Sequence, residues 1–321
     1  MDAPRIRDFI ETTDGLIFAS VSYHHPPDRR LAFLRYYPDT EGERERSGVR
    51  YKKIASTAQS FEFLEKNYPE SVFSYQGARL QGVPVEKIKK IHRGEDKLKK
   101  ICRNPETPLE KKIKRLSDTF RNIPHDHKGI TGSVLVGLDT PDSDIDFVVY
   151  GVENHKRARE IFENSASGRL CELKEDEWRR SYEKRFSGHD TLSFDEYLWH
   201  ERRKWHKGTF EGVIFDILLV RDRSEIGAPP KPCERKEKIK IECRVKDAAF
   251  AFDSPSIYKV EYGDGRIKEV LSYTHTYAGQ AFKGEEIEVC GFLEEAKSKK
   301  CRVIVGTTRE AKDEYIKVIR T

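Results

Sequence analysis

The chain has 321 residues, enough for two or three domains with sizeable cores. Its 60 Lys and Arg residues nearly balance 55 Asp and Glu residues, and the formal charge of +5 permits contact with nucleic acid without demanding it. No stretch approaches the roughly 20 apolar residues that span a bilayer, and the charged N-terminus lacks the apolar run of a signal peptide, so a soluble cytoplasmic protein is expected.

In chain order, residues 1–104 read as a β-rich α+β region. The runs Leu16 to Tyr23 and Leu31 to Tyr37, joined by His24-His25-Pro26-Pro27-Asp28, predict an antiparallel pair. A short strand over Val49 to Ile54 and a helix over Ser60 to Asn67, stopped by Pro69, follow. His24 and His25 are candidate metal ligands, though adjacent loop histidines are more often plain polar residues. Lys87, Lys89, Lys90, Arg93, Lys97, Lys99, Lys100 and Arg103 form a basic run. It is either a phosphate-tracking surface or a solvated helix face, and the second is commoner.

Residues 105–226 read as a second domain. Thr107 can cap a helix that Pro108 begins, and Leu109, Ile113, Leu116 and Phe120 recur at helical spacing. Asp144 to Tyr150 has the apolar density of a strand buried on both faces. Asn154 to Glu163 reads as a helix capped by Asn154, and Glu175 to Arg185 and Phe194 to Trp205 as further helices. Val213 to Val220 is another apolar strand, interrupted by Asp216.

The linker Gly227-Ala228-Pro229-Pro230-Lys231-Pro232 precedes a third domain, residues 233–321. Strands over Ile239 to Val245, Ile257 to Tyr262, Ile267 to Tyr273, Ile287 to Leu293 and Arg302 to Val305 suit a small β-barrel of OB type. Tyr258, Tyr262, Tyr273 and Tyr277 could stack on single-stranded nucleic acid or pack the barrel. Cys290 and Cys301 flank a polar turn and are candidates for a disulfide, with free thiols the commoner reading. No CxxC pair points to zinc. Abundant Lys, Arg and Glu with scarce Asn and Gln and one Met match a thermophile.

The stretch that carries chemistry is Gly132-Ser133, ten residues, then Asp144-Ile145-Asp146. On a strand, Asp144 and Asp146 would project from one face, a costly arrangement unless a hard cation such as Mg²⁺ or Mn²⁺ neutralises them. Gly132 lets the backbone approach a phosphate, and Ser133 offers a hydroxyl and an N–H at a helix start. A charge inside an apolar strand, as at Asp216, is expensive unless paired or metal-bound. Metal-held carboxylates beside a phosphate cradle are the parts of nucleotidyl transfer.

These residues resemble the signature of the polymerase-β-type nucleotidyltransferases over about Leu109 to Val220, and the whole chain resembles an archaeal family of such proteins. The resemblance implies an α+β multi-domain fold whose core is a mixed sheet with helices. It also implies that Gly132 and Ser133 bind the triphosphate while Asp144, Asp146 and Asp216 hold two divalent ions. The acceptor hydroxyl could belong to an RNA end, a small molecule or a protein. Where many relatives place an arginine just after the serine, this chain has Val134-Leu135-Val136, and Lys128 or Lys156 are unassigned candidates for reaching a phosphate. The competing reading is a nucleic-acid-binding module whose core binds nucleotide without turnover.

Overall fold

The structure, a computed structural model, describes residues 3–75, 78–166, 168–186, 191–263, 265–307 and 311–320. It divides into two compact units. The first comprises Met1–Ile161, Gly168–Leu170 and Thr209–Gly227, and the second Phe162–Ser167, Cys171–Gly208 and Ala228–Thr321.

The first unit opens with β1 (Phe9–Thr12), β2 (Ile17–Ser20), β3 (Arg29–Pro38), β4 (Arg44–Arg46) and β5 (Val49–Lys53). Helix α1 (Thr57–Asn67), β6 (Val72–Tyr75), β7 (Ala78–Pro84) and β8 (Ile88–His92) follow. They form one sheet in the order β4-β5-β3-β2-β1-β8, with β7 and then β6 added at β3. The expected β2–β3 pair is antiparallel, with Ile17 opposite Tyr36. Because side chains alternate across a sheet, neighbouring apolar residues serve two cores. Ile10, Phe18 and Leu34 pack with Leu64 of α1 on one face. Phe9, Ile17, Tyr36 and Tyr51 pack on the other with Leu135, Val136 and Leu138 from the Gly-Ser corner.

The His24-His25 loop is tied down by protein contacts. His25 Nδ1 accepts from the Leu31 N–H at 3.0 Å, and its Nε2 lies 2.9 Å from the Pro4 carbonyl oxygen. The basic run falls in and around β8 and α2 (Gly94–Arg103), and five of its eight residues make ion pairs, Lys100 the loosest of them at 4.0 Å from Glu106. Lys89 pairs with Glu11 (3.0 Å), Arg93 with Asp8 (3.4 Å) and Lys97 with Glu110 (2.8 Å), while Lys87 reaches Asp14 at 3.7 Å. Glu11, Asp8 and Glu110 are nearly buried, and these pairs leave less free charge for phosphates than the sequence suggests.

Helix α3 (Pro108–Thr119) starts as expected, with Thr107 accepting from the Glu110 N–H at 3.1 Å. Next come β9 (Lys128–Ile130), the single turn α4 (Gly132–Leu135), β10 (Ile145–Tyr150) and α5 (Val152–Asn164). α5 begins ahead of Asn154, whose side-chain amide donates to the Tyr150 carbonyl at 3.0 Å, so Asn154 is not its cap. Short β11 (Leu170–Cys171), α6 (Glu175–Phe186), α7 (Phe194–Arg202) and β12 (Lys207–Phe210) precede β13 (Val213–Val220). β10 runs antiparallel to β9 and parallel to β13. Phe147 of β10 stacks on Phe120 at the end of α3, with centroids 5.4 Å apart, which fixes the helix against the strand.

In the second unit, α7 is capped by a reciprocal Ser193–Glu196 box. It stops at Arg202, short of the expected Trp205, which has φ +50° and packs edge-on against Phe162. Tyr197 is buried against Trp178 and Phe186, so this ring and Trp205 are packing residues. The chain continues through β14 (Cys233–Asp247), β15 (Ser256–Glu261), β16 (Ile267–Ser272), β17 (Glu286–Ala296), β18 (Cys301–Val305) and β19 (Tyr315–Val318). The pairings run β14-β15-β16-β18-β17 and return from β17 to β14; β19 pairs with Ile287 to Cys290 of β17, ahead of the stretch that β18 meets (Phe292 to Glu295), and the β16–β18 contact is parallel. β14 is long enough to serve both neighbours, meeting β17 along Cys233 to Arg244 and β15 from Arg244 onward.

Two of the four tyrosines proposed for stacking face inward. The Tyr258 hydroxyl donates to the Tyr277 carbonyl at 2.6 Å, and the Tyr277 hydroxyl donates to the Glu314 carbonyl at 3.0 Å. Tyr273 is the exposed one, at 51%. Cys290 stands opposite Lys240 and Tyr315, whereas Cys301 stands opposite Glu295. The two do not meet, and all six cysteines are free thiols.

Candidate active site

The Thr131 N–H donates to the Asp146 carbonyl at 3.0 Å, which carries the chain from β9 alongside β10 into Gly132. Gly132 has φ +69°, a region that only glycine enters without strain. A Cβ at this position would lie 2.0 Å from Asp146 Oδ2, so the aspartate carboxylate rests on the open face of the glycine. The parallel register sets Asp146 directly opposite Asp216. Residues in register on adjacent strands share a face, so these two carboxylates, 70 positions apart in the chain, become neighbours. Side by side they repel unless a cation or a shared proton intervenes.

Asp144 lies just before β10 and is exposed, while Asp146 is half-buried within it. Among the described residues no group of three or more His, Cys, Asp or Glu side chains is gathered closely enough to enclose an ion. The structure therefore joins Asp146 with Asp216 and leaves Asp144 at the entrance to the strand. All three supply hard carboxylate oxygens, the donor type that Mg²⁺ and Mn²⁺ prefer.

Ser133 is held by its own neighbourhood. Its Oγ donates to Ser143 Oγ at 3.3 Å, and Ser143 Oγ in turn accepts from the Thr140 N–H at 2.8 Å. This link ties the Gly-Ser corner to the residue preceding Asp144. The Leu138 N–H donates to the Ser133 carbonyl at 2.9 Å and closes the corner from the other side.

The N-terminal sheet also reaches this corner, which sequence reasoning missed. Arg44 Nη1 donates to the Leu138 carbonyl at 2.6 Å, Arg46 Nη1 to the Val136 carbonyl at 3.2 Å, and Thr131 Oγ1 to the Arg7 carbonyl at 2.5 Å. Arg7 itself has a left-handed backbone, φ +71°. Buried Tyr36 lies within the electrostatic field of the site. Burial pushes its hydroxyl above the usual range, the charges of Arg35 and Arg44 oppose this, and Asp146 and Glu43 reinforce it.

Both lysines considered for a phosphate are otherwise engaged. Lys128 is buried, and its Nζ donates to the carbonyls of Ser117 (3.0 Å) and Phe120 (3.3 Å), away from the carboxylates. Lys156 reaches Glu160 at 3.9 Å. The residues at the ends of β13 are bound as well. Glu211 forks to Arg115 (2.5 Å), and Asp222 pairs with His127 (2.9 Å) from the turn before β9.

His155 of α5 packs behind the site, with Nε2 3.2 Å from the Ile217 carbonyl oxygen. Burial, assisted by Arg159, holds its pKa down at about 3. In the unfolded chain the imidazole titrates near 6.5, so below that pH the unfolded state binds a proton that the folded state refuses. Its contribution to stability is complete above pH ~6.5 and is lost as pH falls toward 3, by up to about 1.4 kcal/mol per pH unit. The urea-unfolding midpoint of the first unit should therefore fall between pH 7 and pH 4, and His155→Leu should flatten that slope. An identical slope in the variant would assign the pH dependence to other groups.

A family model described as a nucleotidyltransferase domain matches residues 109–209, which include Gly132, Ser133, Asp144 and Asp146. An uncharacterized protein of Methanocaldococcus jannaschii is 39% identical over 340 aligned positions, covering 98% of this chain and 99% of that protein. No solved structure matches the chain. Similarity that spans both proteins nearly end to end, around a recognised transferase domain, means that the chain belongs to the same family as this archaeal protein, a family that carries a nucleotidyltransferase domain.

Proposed function

We propose that the protein is a metal-dependent nucleotidyltransferase that moves a nucleoside monophosphate from an NTP to a hydroxyl and releases pyrophosphate. The observation that carries this reading is the register of β10 and β13, which sets Asp146 opposite Asp216, with the Asp146 carboxylate resting on the open face of Gly132. Asp146 and Asp216 would hold divalent ions, with Asp144 as the third carboxylate; two ions are expected. When bound, they would lower the pKa of the attacking hydroxyl and neutralise charge on the leaving pyrophosphate.

The protein's own groups divide the remaining work. Gly132 brings backbone within reach of a phosphate without an intervening Cβ. The Ser133 hydroxyl can exchange its Ser143 partner for a phosphate oxygen, since a 3.3 Å contact between neutral hydroxyls is weaker than a charge-assisted bond. Pairing across β10 and β13 sets the spacing of two carboxylates on a rigid sheet, so little reorganisation is needed at the moment of reaction.

Residues 1–104, 105–226 and 233–321 are read as three functional regions. The closed pairing of five strands from β14 to β18, with one strand out of chain order, supports an OB-type barrel in the last region. Such barrels commonly bind single strands, which makes RNA the first acceptor to try. The test incubates the protein with α-labelled NTPs, Mg²⁺ or Mn²⁺ and total RNA, beside an Asp144→Ala/Asp146→Ala variant. Label passing to RNA with the wild type alone is the expected result. Absence of any metal-dependent NTP binding would sink the transferase reading.

A further inference from the structure

We propose that Arg44, on the N-terminal sheet, is the arginine that grips the triphosphate beside Ser133, so that residues 1–104 complete the nucleotide site. This rests on the transferase reading above.

The corner itself has no cation to offer. Val134, Leu135 and Val136, which follow Ser133, are all buried apolar side chains, and Lys128 and Lys156 are committed elsewhere. The N-terminal sheet meets this gap. Its apolar face shares one core with Leu135, Val136 and Leu138, so β4 and the corner are held in fixed relation. Within that contact Arg44 Nη1 sits 2.6 Å from the Leu138 carbonyl, and the N–H of the same Leu138 is bonded to the Ser133 carbonyl. One residue of backbone therefore connects the guanidinium to Ser133.

The state of the guanidinium distinguishes Arg44 from its neighbour. Arg46 is fully engaged, with Glu11 (3.1 Å), the Val136 carbonyl and the Tyr51 hydroxyl. Arg44 has five N–H donors in a planar fork. Among the described residues its one hydrogen bond is to Leu138, no carboxylate pairs with it, and its Nε is buried without an acceptor. A partly buried cation with unused donors and no counterion is costly. An anion with several acceptor oxygens offsets that cost, and a polyphosphate is the planar fork's natural partner.

The experiment measures binding of each NTP, of inorganic triphosphate and of the free nucleosides, in Mg²⁺, to the wild type, Arg44→Ala and Arg44→Lys. Arg44→Ala should weaken NTP and inorganic triphosphate by about 10- to 100-fold and leave any nucleoside affinity within about twofold. Arg44→Lys should recover part of the loss, because a lysine keeps the charge but not the fork. A purely structural Arg44 would lower thermal stability and weaken nucleoside and triphosphate together, and that result overturns the proposal. So does triphosphate affinity in Arg44→Ala within twofold of the wild type. If Arg44→Ala does not fold, Arg44→Lys decides, a fivefold or greater loss of triphosphate binding being expected and no loss overturning the assignment. A wild type that binds no NTP at all fails the transferase reading itself, and the Arg44 assignment with it.

Discussion

Replacing Asp146 with alanine should lower nucleotidyl transfer by roughly a thousandfold or more, equivalent to about 4 kcal/mol of transition-state stabilisation, while leaving the fold intact. The two halves of this expectation have separate causes. Asp146 supplies half of the register pair with Asp216, and on the proposed mechanism a divalent ion would lose both charge and geometry with one carboxylate gone. Two carboxylates set opposite each other repel unless a cation or a shared proton intervenes. Removing one member should therefore leave the melting temperature unchanged or raise it slightly. Asp216→Ala should behave in the same way. Asp144 is exposed just outside the strand, so Asp144→Ala should also leave stability unchanged. Activity followed by label transfer, beside thermal unfolding without metal, checks the expectation. An Asp146→Ala protein within tenfold of wild-type activity would move the chemistry away from this pair.

What could be read from the sequence follows the range over which its signals act. The strand over Val213 to Val220 was legible to the residue, because an apolar run broken by a single acid fits a buried strand and little else. Thr107-Pro108 marked the start of α3 because capping and the N1 proline are local effects. The Gly132-Ser133 corner and the three aspartates stand out as candidate chemistry because a glycine-serine pair, two acids at i and i+2 and an acid inside an apolar run are all local patterns. Their meeting was a different matter. Strand register between residues near 146 and 216 is set by packing along the whole ladder, and no local pattern encodes it.

The contribution of the N-terminal sheet was hidden for the same reason. Arg44 and Leu138 are 94 positions apart, and nothing local to Arg44-Glu45-Arg46 marks a partner so far along the chain. One signal was available in retrospect. Adjacent apolar residues such as Phe9-Ile10 and Ile17-Phe18 cannot share one face of a strand, so a sheet that carries them must be covered on both sides. The sequence supplied one cover in α1. The other is the Gly-Ser corner, through Leu135, Val136 and Leu138. The Asn154 cap failed because the same side chain found a partner in the Tyr150 carbonyl, which let α5 begin earlier.

Gly132→Ala should cost about 1–3 kcal/mol of stability and about 100-fold or more in activity, and a second glycine in the same corner separates the two effects. Gly132 and Gly137 both have left-handed backbones, at φ +69° and +66°. Alanine at either position pays the strain of an L-residue in that region, about 1–2 kcal/mol. They differ in what the new methyl meets. At Gly137 the nearest atom is Arg46 Cδ at 3.6 Å, an ordinary contact with a flexible side chain. At Gly132 it is Asp146 Oδ2 at 2.0 Å. The carboxylate must swing away, and swinging takes it out of its place opposite Asp216. Both variants should therefore lose similar stability, and Gly132→Ala alone should lose most of its transfer activity. Thermal unfolding and label transfer on the two proteins, run side by side, give the comparison. Equal activity in both would mean that the carboxylate can leave the glycine's open face without consequence, and that the corner acts through Ser133 rather than through the seat it provides for Asp146.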